Sequence, residues 1–201
     1  MRDVIDEIFA ILTTKGTADY IGEDVSQLAH ALQCAKLAAD SCDDDELIIA
    51  VLLHDIGHIC AEGPVEQMGT FGVAHHEKIG ANYLRSKGFS ERVACLIERH
   101  VDAKRYLTFR NPRYAAKLSS ASAATLRYQG GPMTAEEAAK FEQEPELKDV
   151  LKIRVWEENA KAVGSDVPAL EAYRDLLARH LGGACRAQAN VSSVGNSSSY
   201  A

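Results

Sequence analysis

The chain has 201 residues, 46% apolar and 25% charged, with a formal charge of −7. That length suits one domain with a sizeable core, and the negative balance argues against a general nucleic-acid binder. No apolar run approaches the ~20 residues of a membrane span, and the acids inside the opening MRDVIDEIFA are unlike a signal peptide.

Val4, Ile5, Ile8, Phe9, Ile11 and Leu12 recur at helical spacing and predict an amphipathic first helix closed by Gly16. TADYIGE reads as a connector. A second helix is expected over 24–40, with Val25, Leu28, Leu32, Ala35 and Ala39 inward. DDDELIIAVLLHD reads as a third, its acids at the end where the helix dipole favours them. A glycine-containing loop over 57–73 is of a kind that often carries function. Helices are then predicted over 74–87 and, behind the cap Ser90, over 91–101, with RNPR breaking the chain. A helix over 119–128 ends at GGP. Thr134 and Glu137 form a capping-box pattern for the next helix. The last helices are expected over 146–163 and 168–181. From Gly182 the chain is small, polar and aperiodic, which reads as a disordered tail over 182–201. Strand-like alternation and internal repeats are absent, so the expected class is all-α.

Cys34, Cys42, Cys60, Cys95 and Cys185 include no C-x-x-C spacing, so reduced thiols in a cytoplasmic protein are expected. Lys104, Arg105, Arg110 and Arg113 gather positive charge, which suits a small anion as ligand. The sharpest anomaly is VLLHDIGH, 51–58, where polar residues end the most apolar helix. A buried carboxylate is costly unless paired or bound to metal. His30, His76 and His100 also sit on otherwise apolar helices, and with His54, Asp55 and His58 they form a candidate metal constellation. Imidazole and carboxylate together suit iron, manganese or zinc. Adjacent helical residues point about 100° apart. A site using both His54 and Asp55 therefore sits at a helix end, or two metals straddle the pair.

Six stretches carry a family resemblance: DYIGE (19–23), QLAHALQCA (27–35), LLHDIGH (52–58), GFSERVACLIERHVDAKRYL (88–107), YQGGPM (128–133) and KIRVWEENAK (152–161). Together they resemble the C–P-bond-cleaving diiron oxygenases of the HD-domain superfamily. The resemblance covers about 1–181 and implies a single helical bundle with a metal site between its helices. It implies two iron ions in a mixed-valence Fe(II)/Fe(III) pair, with O2 as co-substrate. His30, His54, Asp55 and Glu157 would hold one iron; His76, His100 and the same Asp55 would hold the other. At position 157 the family has aspartate, so this chain departs from it by one methylene.

The implied substrate is a small 1-hydroxyphosphonate bearing an amino or trimethylamino group, cleaved to phosphate and glycine or glycine betaine. Lys104, four residues after His100, and Arg154, three before Glu157, fall on the ligand faces of their helices. The resemblance adds His58, Ser122 and Gln129 around the phosphonate. It makes Tyr20 and Glu23 a catalytic lid, with Glu23 near the amino end. Ala74, where the family type carries tryptophan, leaves room for methyl groups and leans the expectation to the trimethylated substrate. The alternative is an HD-type metal-dependent phosphohydrolase. Oligomeric state is open.

Overall fold

The computed structural model describes residues 2–18 and 22–183. Along them run α1 (Arg2–Thr14), α2 (Gln27–Ala39), α3 (Asp45–Leu53), α4 (Gly57–Cys60), α5 (His76–Ser86), α6 (Glu91–Arg110), α7 (Pro112–Ala115), α8 (Ser120–Tyr128), α9 (Ala135–Phe141) and α10 (Leu147–Asn159). A 3-10 turn (Leu170–Tyr173) then leads into α11 over 174–183. The described residues hold no strand, only isolated bridge positions such as Gln67 with Val73, so the fold is all-α as expected. No described helix is long and apolar enough to cross a membrane.

The bundle is organised around α3, in which every residue from Leu47 to Leu53 is buried. A helix apolar on all sides must be surrounded. Here α2 and α6 pack on it, α10 closes against both of those, and α5 lies against α6. Side-chain oxygens of Ser26, Asp44, Ser90 and Ser119 accept from backbone N–H groups at their helix starts. Thr134 and Glu137 make the full reciprocal capping box, satisfying donors that helix starts leave orphaned.

Several boundaries differ from the sequence reading. Helix α6 continues nine residues past Val101, because Ala103, Lys104 and Thr108 prolong its buried face and no breaker intervenes before Asn111 and Pro112. The expected loop over 57–73 begins with α4. Helix α10 stops at Asn159, and Ala160, at φ −96° and ψ 46°, turns its carbonyl out of the helix. The C-terminal helix runs through 183, past the expected tail boundary; 184–201 lie outside the described residues.

Candidate metal centre

Helix α3 ends at Leu53 with His54 as its C-cap, and Asp55 follows in the turn before α4. The His-Asp pair therefore sits at a helix end, where both side chains can face the same space. Asp55 reaches two ways. Its Oδ2 lies 3.1 Å from His54 Nε2, and its Oδ1 lies 3.3 Å from His76 Nε2 and 3.5 Å from His100 Nε2. The His76 and His100 Nε2 atoms are 3.2 Å apart. Donor atoms bonded to one metal at about 2.1 Å and roughly 100° apart are separated by about 3.2 Å.

Backbone carbonyls orient the rings. His30 Nδ1 donates to Ala160 O (2.9 Å), His54 Nδ1 to Val51 O (2.8 Å) and His100 Nδ1 to Ile97 O (2.7 Å). A carbonyl only accepts, so in each neutral ring Nε2 keeps its lone pair, the arrangement that metal-ligating histidines use. His54 Nε2, Asp55 Oδ2 and Glu157 Oε2 are buried without a hydrogen-bond partner. Electron-rich atoms facing one another in a dry interior are what a bound cation relieves. The donor set fits a metal.

The electrostatics favour a positive charge at this point, held as a proton on His54 or as a bound cation. Burial alone would push the His54 imidazole down, yet Asp55 and Glu157 raise it to about 9. Burial and the His54 charge push His30 down to about 4. Burial opposes ionisation of Glu157, but Arg154, His54 and His100 hold it at about 2. Asp55 stays well below the usual range against the same desolvation, because His54, His100 and His76 surround it.

Cys34 lies one turn after His30, with Sγ 3.5 Å from its Nε2 and 4.0 Å from its Nδ1. A ligand on the Nε2 lone-pair axis would be much farther from Nδ1 than from Nε2. The sulfur therefore sits beside the ring, and burial pushes its thiol well up. None of the four described cysteines is disulfide-bonded; Cys185 lies outside the described residues.

Against this cluster lies a small cavity of about 30 Å³, which Asp55, His76, His100 and Glu157 help to line. Of the substrate-side residues expected from sequence, Glu23, His58, Lys104, Ser122, Gln129 and Arg154 line it too. Tyr20 lies outside the described residues. Lys104 is buried, donates to Thr125 Oγ1 at 2.9 Å, and is pushed down to about 7 by burial and by Arg154. His58 stacks on His76, centroids 3.9 Å apart, and its Nδ1 accepts from Val73 N while Nε2 is buried without a partner. Gln129 Oε1 is likewise buried without a partner.

The stacking of His58 on His76 depends on Gly57. A Cβ there would lie 1.9 Å from the His76 carbonyl oxygen and 2.8 Å from Gly80 N. Only glycine lets α4 and α5 approach so closely. His75, just before His76, takes the left-handed φ of 57°, a conformation uncommon outside glycine.

Arg154 is more committed than its helical face implied. It is 1% exposed, its Nε donates to Tyr114 Oη at 2.6 Å, and its guanidinium grips Glu157 and Glu158. Its reach to Ser122 Oγ is 3.4 Å. It braces Glu157 at the cavity wall. Sequence reasoning missed Lys161, whose Nζ meets Glu23 Oε1 at 2.9 Å; its position four residues after Glu157 was the available signal. Also missed was the Ala160 carbonyl, a backbone group with no residue-type signature.

An all-helical bundle holding a buried His/Asp cluster at the end of its central helix defines a metal-site class, and the HD-domain family model matches residues 27–139. The chain belongs to the HD-domain family, and within it aligns over most of its length with members named as hydroxyphosphonate dioxygenases. It is 40% identical over 170 residues to hydroxymethylphosphonate dioxygenase of Gimesia maris, covering 84% of each chain. It is 35% identical over 177 residues to 1-hydroxy-2-(trimethylamino)ethylphosphonate dioxygenase (glycine-betaine-forming) of Leisingera caerulea, covering 88% of this chain and 90% of the relative. An uncharacterised protein of Acanthamoeba polyphaga mimivirus is 37% identical over 185 residues, 90% of this chain and 84% of the relative.

Proposed function

We propose that the protein is a cytoplasmic non-haem diiron dioxygenase that cleaves the C–P bond of a 1-hydroxyphosphonate. The carrying observation is the two-way reach of Asp55, with one oxygen toward His54 and the other toward His76 and His100. In this reading His30, His54, Asp55 and Glu157 hold one iron, His76 and His100 share Asp55 with the other, and 1–181 is the catalytic domain. The bound iron pair supplies Lewis acidity and the electrons that engage O2. The reaction consumes one hydroxyphosphonate dianion and one O2 and gives one carboxylate, one hydrogen phosphate and one proton. The C–H and C–P bonds of the hydroxyl-bearing carbon break, and carbon and phosphorus each gain one oxygen.

The chain's own groups provide the anion site. Lys104 offers an ammonium inside the cavity, and phosphonate binding favours its charged form. Ser122 and His58 offer further polar contacts, and Gln129 brings a side-chain amide whose oxygen is unpaired. Arg154 holds Glu157 in place and lends positive charge without leaving its carboxylate partners. Tyr20 and Glu23 form the lid segment in this reading.

Anaerobic loading with Fe(II), then O2 exposure with hydroxymethylphosphonate and both 1-hydroxy-2-aminoethylphosphonates, free and trimethylated, tests it. Oxygen uptake matched by phosphate release is expected with at least one compound. Phosphate release from phosphate esters without O2 would select the phosphohydrolase instead.

A further inference from the structure

Of the four histidines proposed as ligands, three are oriented by backbone carbonyls: His30 by Ala160, His54 by Val51 and His100 by Ile97. His76 is the exception. Its Nε2 faces Asp55 and His100, but its Nδ1 is buried without a hydrogen-bond partner. Stacking on His58 fixes the plane of the ring. It does not choose which nitrogen carries the proton, because a face contact is nearly the same for both tautomers.

The next residue has the complementary defect. Glu77 Oε2 is also buried without a partner, and it lies 3.7 Å from His76 Nδ1. A side-chain shift of roughly 1 Å brings the two to hydrogen-bond distance, and one bond then satisfies two buried polar atoms. Glu77 is 7% exposed, and among the described residues its ion-pair contacts are with His75 and His76, not with any Lys or Arg. Its place in the first turn of α5 favours negative charge through the helix dipole, but gives Oε2 no donor. On its far side Glu77 helps to line an outer cavity with His75 and Lys78. Ala74, expected to leave room at the substrate's amino end, lines that outer cavity and not the wall of the inner one.

Charge gives a second reason for a carboxylate here. In the dioxygenase reading, Glu157 and Asp55 both serve the metal at His30 and His54, whereas Asp55 alone serves the metal at His76 and His100. A carboxylate behind His76 makes that imidazole a stronger donor and lends the second position negative charge through the ring.

Resting on that reading, we infer that Glu77 is a positioning residue for the second metal: its carboxylate accepts the hydrogen bond of His76 Nδ1 and so holds the Nε2 lone pair toward Asp55 and His100. It touches neither substrate nor metal and acts through His76.

Metal-free wild type, Glu77→Leu and Glu77→Gln are titrated anaerobically with Fe(II), and isotope-labelled protein loaded with diamagnetic Zn(II) is read by ring-nitrogen NMR. The wild type should bind two metals, with His76 ligated through Nε2 and a proton on Nδ1 protected from exchange. E77L should weaken one of the two metals about 10–100-fold and lose that protection. E77Q keeps an acceptor oxygen without the charge, and should weaken the same metal about threefold or more, less than E77L. Wild-type affinity for both metals in E77L overturns the inference. So does equal weakening of both, which would make Glu77 a support of the fold, and so does a His76 that is unligated or bound through Nδ1. If E77L does not fold, E77Q decides, and unchanged affinity there overturns the inference. A wild type that shows the two metals and this dependence on Glu77, yet releases no phosphate with O2, defeats the dioxygenase reading and leaves the inference standing.

Discussion

Two clusters of charge in this molecule use similar residues to opposite ends. At the edge of the bundle, Arg92 on α6 reaches Asp44, Glu46, Glu146 and Asp149, so the starts of α3 and α10 are tied to one guanidinium. In the interior, His30, His54, His76, His100, Asp55 and Glu157 crowd together with several donor atoms unpaired. The first cluster is satisfied by the chain itself and half-open to water. The second is dry and incomplete. Stability favours the first arrangement; the second is one that a bound cation would complete.

Breaking the interior cluster should give the largest effect. Asp55→Asn removes the only carboxylate that reaches both histidine sets. Turnover is expected to fall by about a thousandfold or more, with iron content cut, and the metal-free protein should lose denaturant midpoint, since the charge that Asp55 favours on His54 is left buried and unpaired. Iron analysis and urea titration check both halves. Gly57→Ala perturbs the same cluster without touching a donor. The added methyl collides with the His76 carbonyl, and iron affinity is expected to drop about 10–100-fold with a lower Tm.

Lys104→Met sharpens the contrast, because a buried lysine costs stability and serves binding. Phosphonate affinity should fall about 100-fold, as expected for losing a charged hydrogen bond, while the ligand-free protein gains about 1–2 kcal/mol. The pH dependence has a definite sign. An unfolded lysine stays charged to about 10.5, whereas Lys104 in the empty pocket gives up its proton near 7. Between those values the unfolded chain binds more protons, so this contribution to stability grows as pH rises. The substitution should flatten that rise in urea melts between pH 7 and 10.

The smallest effect belongs to the edge. Arg92→Met should cost about 1 kcal/mol and leave turnover unchanged. The Arg92 hydrogen bond holds Asp44 below its usual range despite partial burial. The stability it gives is therefore present above about pH 4 and is lost as pH falls through the lowered value. The wild-type advantage over R92M should be full at pH 7, shrink in acid, and weaken with added salt. Any loss of turnover in R92M would blur the distinction between the clusters.

Much of this was legible in residue order. Apolar spacing and cap residues placed most helices because both act locally, within one or two turns. The His-Asp adjacency at the end of α3 marked the centre because burying those groups unpaired is costly. Boundaries failed where the deciding contact was distant: α10 ends early, with the Ala160 carbonyl turned to His30, 130 residues away. The state of Glu23 failed to show for the same reason, since its partner lies 138 residues on.

The sequence by itself thus determined the all-helical class, through short-range periodicity, and the family, through its motifs, and it marked histidines and an aspartate too costly to bury idly. Only the tertiary structure decided which charges are already spent: Arg154 on Glu157 and Glu158, Lys161 on Glu23, with Lys104 left facing the cavity without a carboxylate partner. Pairing depends on distances of a few ångströms between segments far apart in the chain, and spacing along one helix does not encode that.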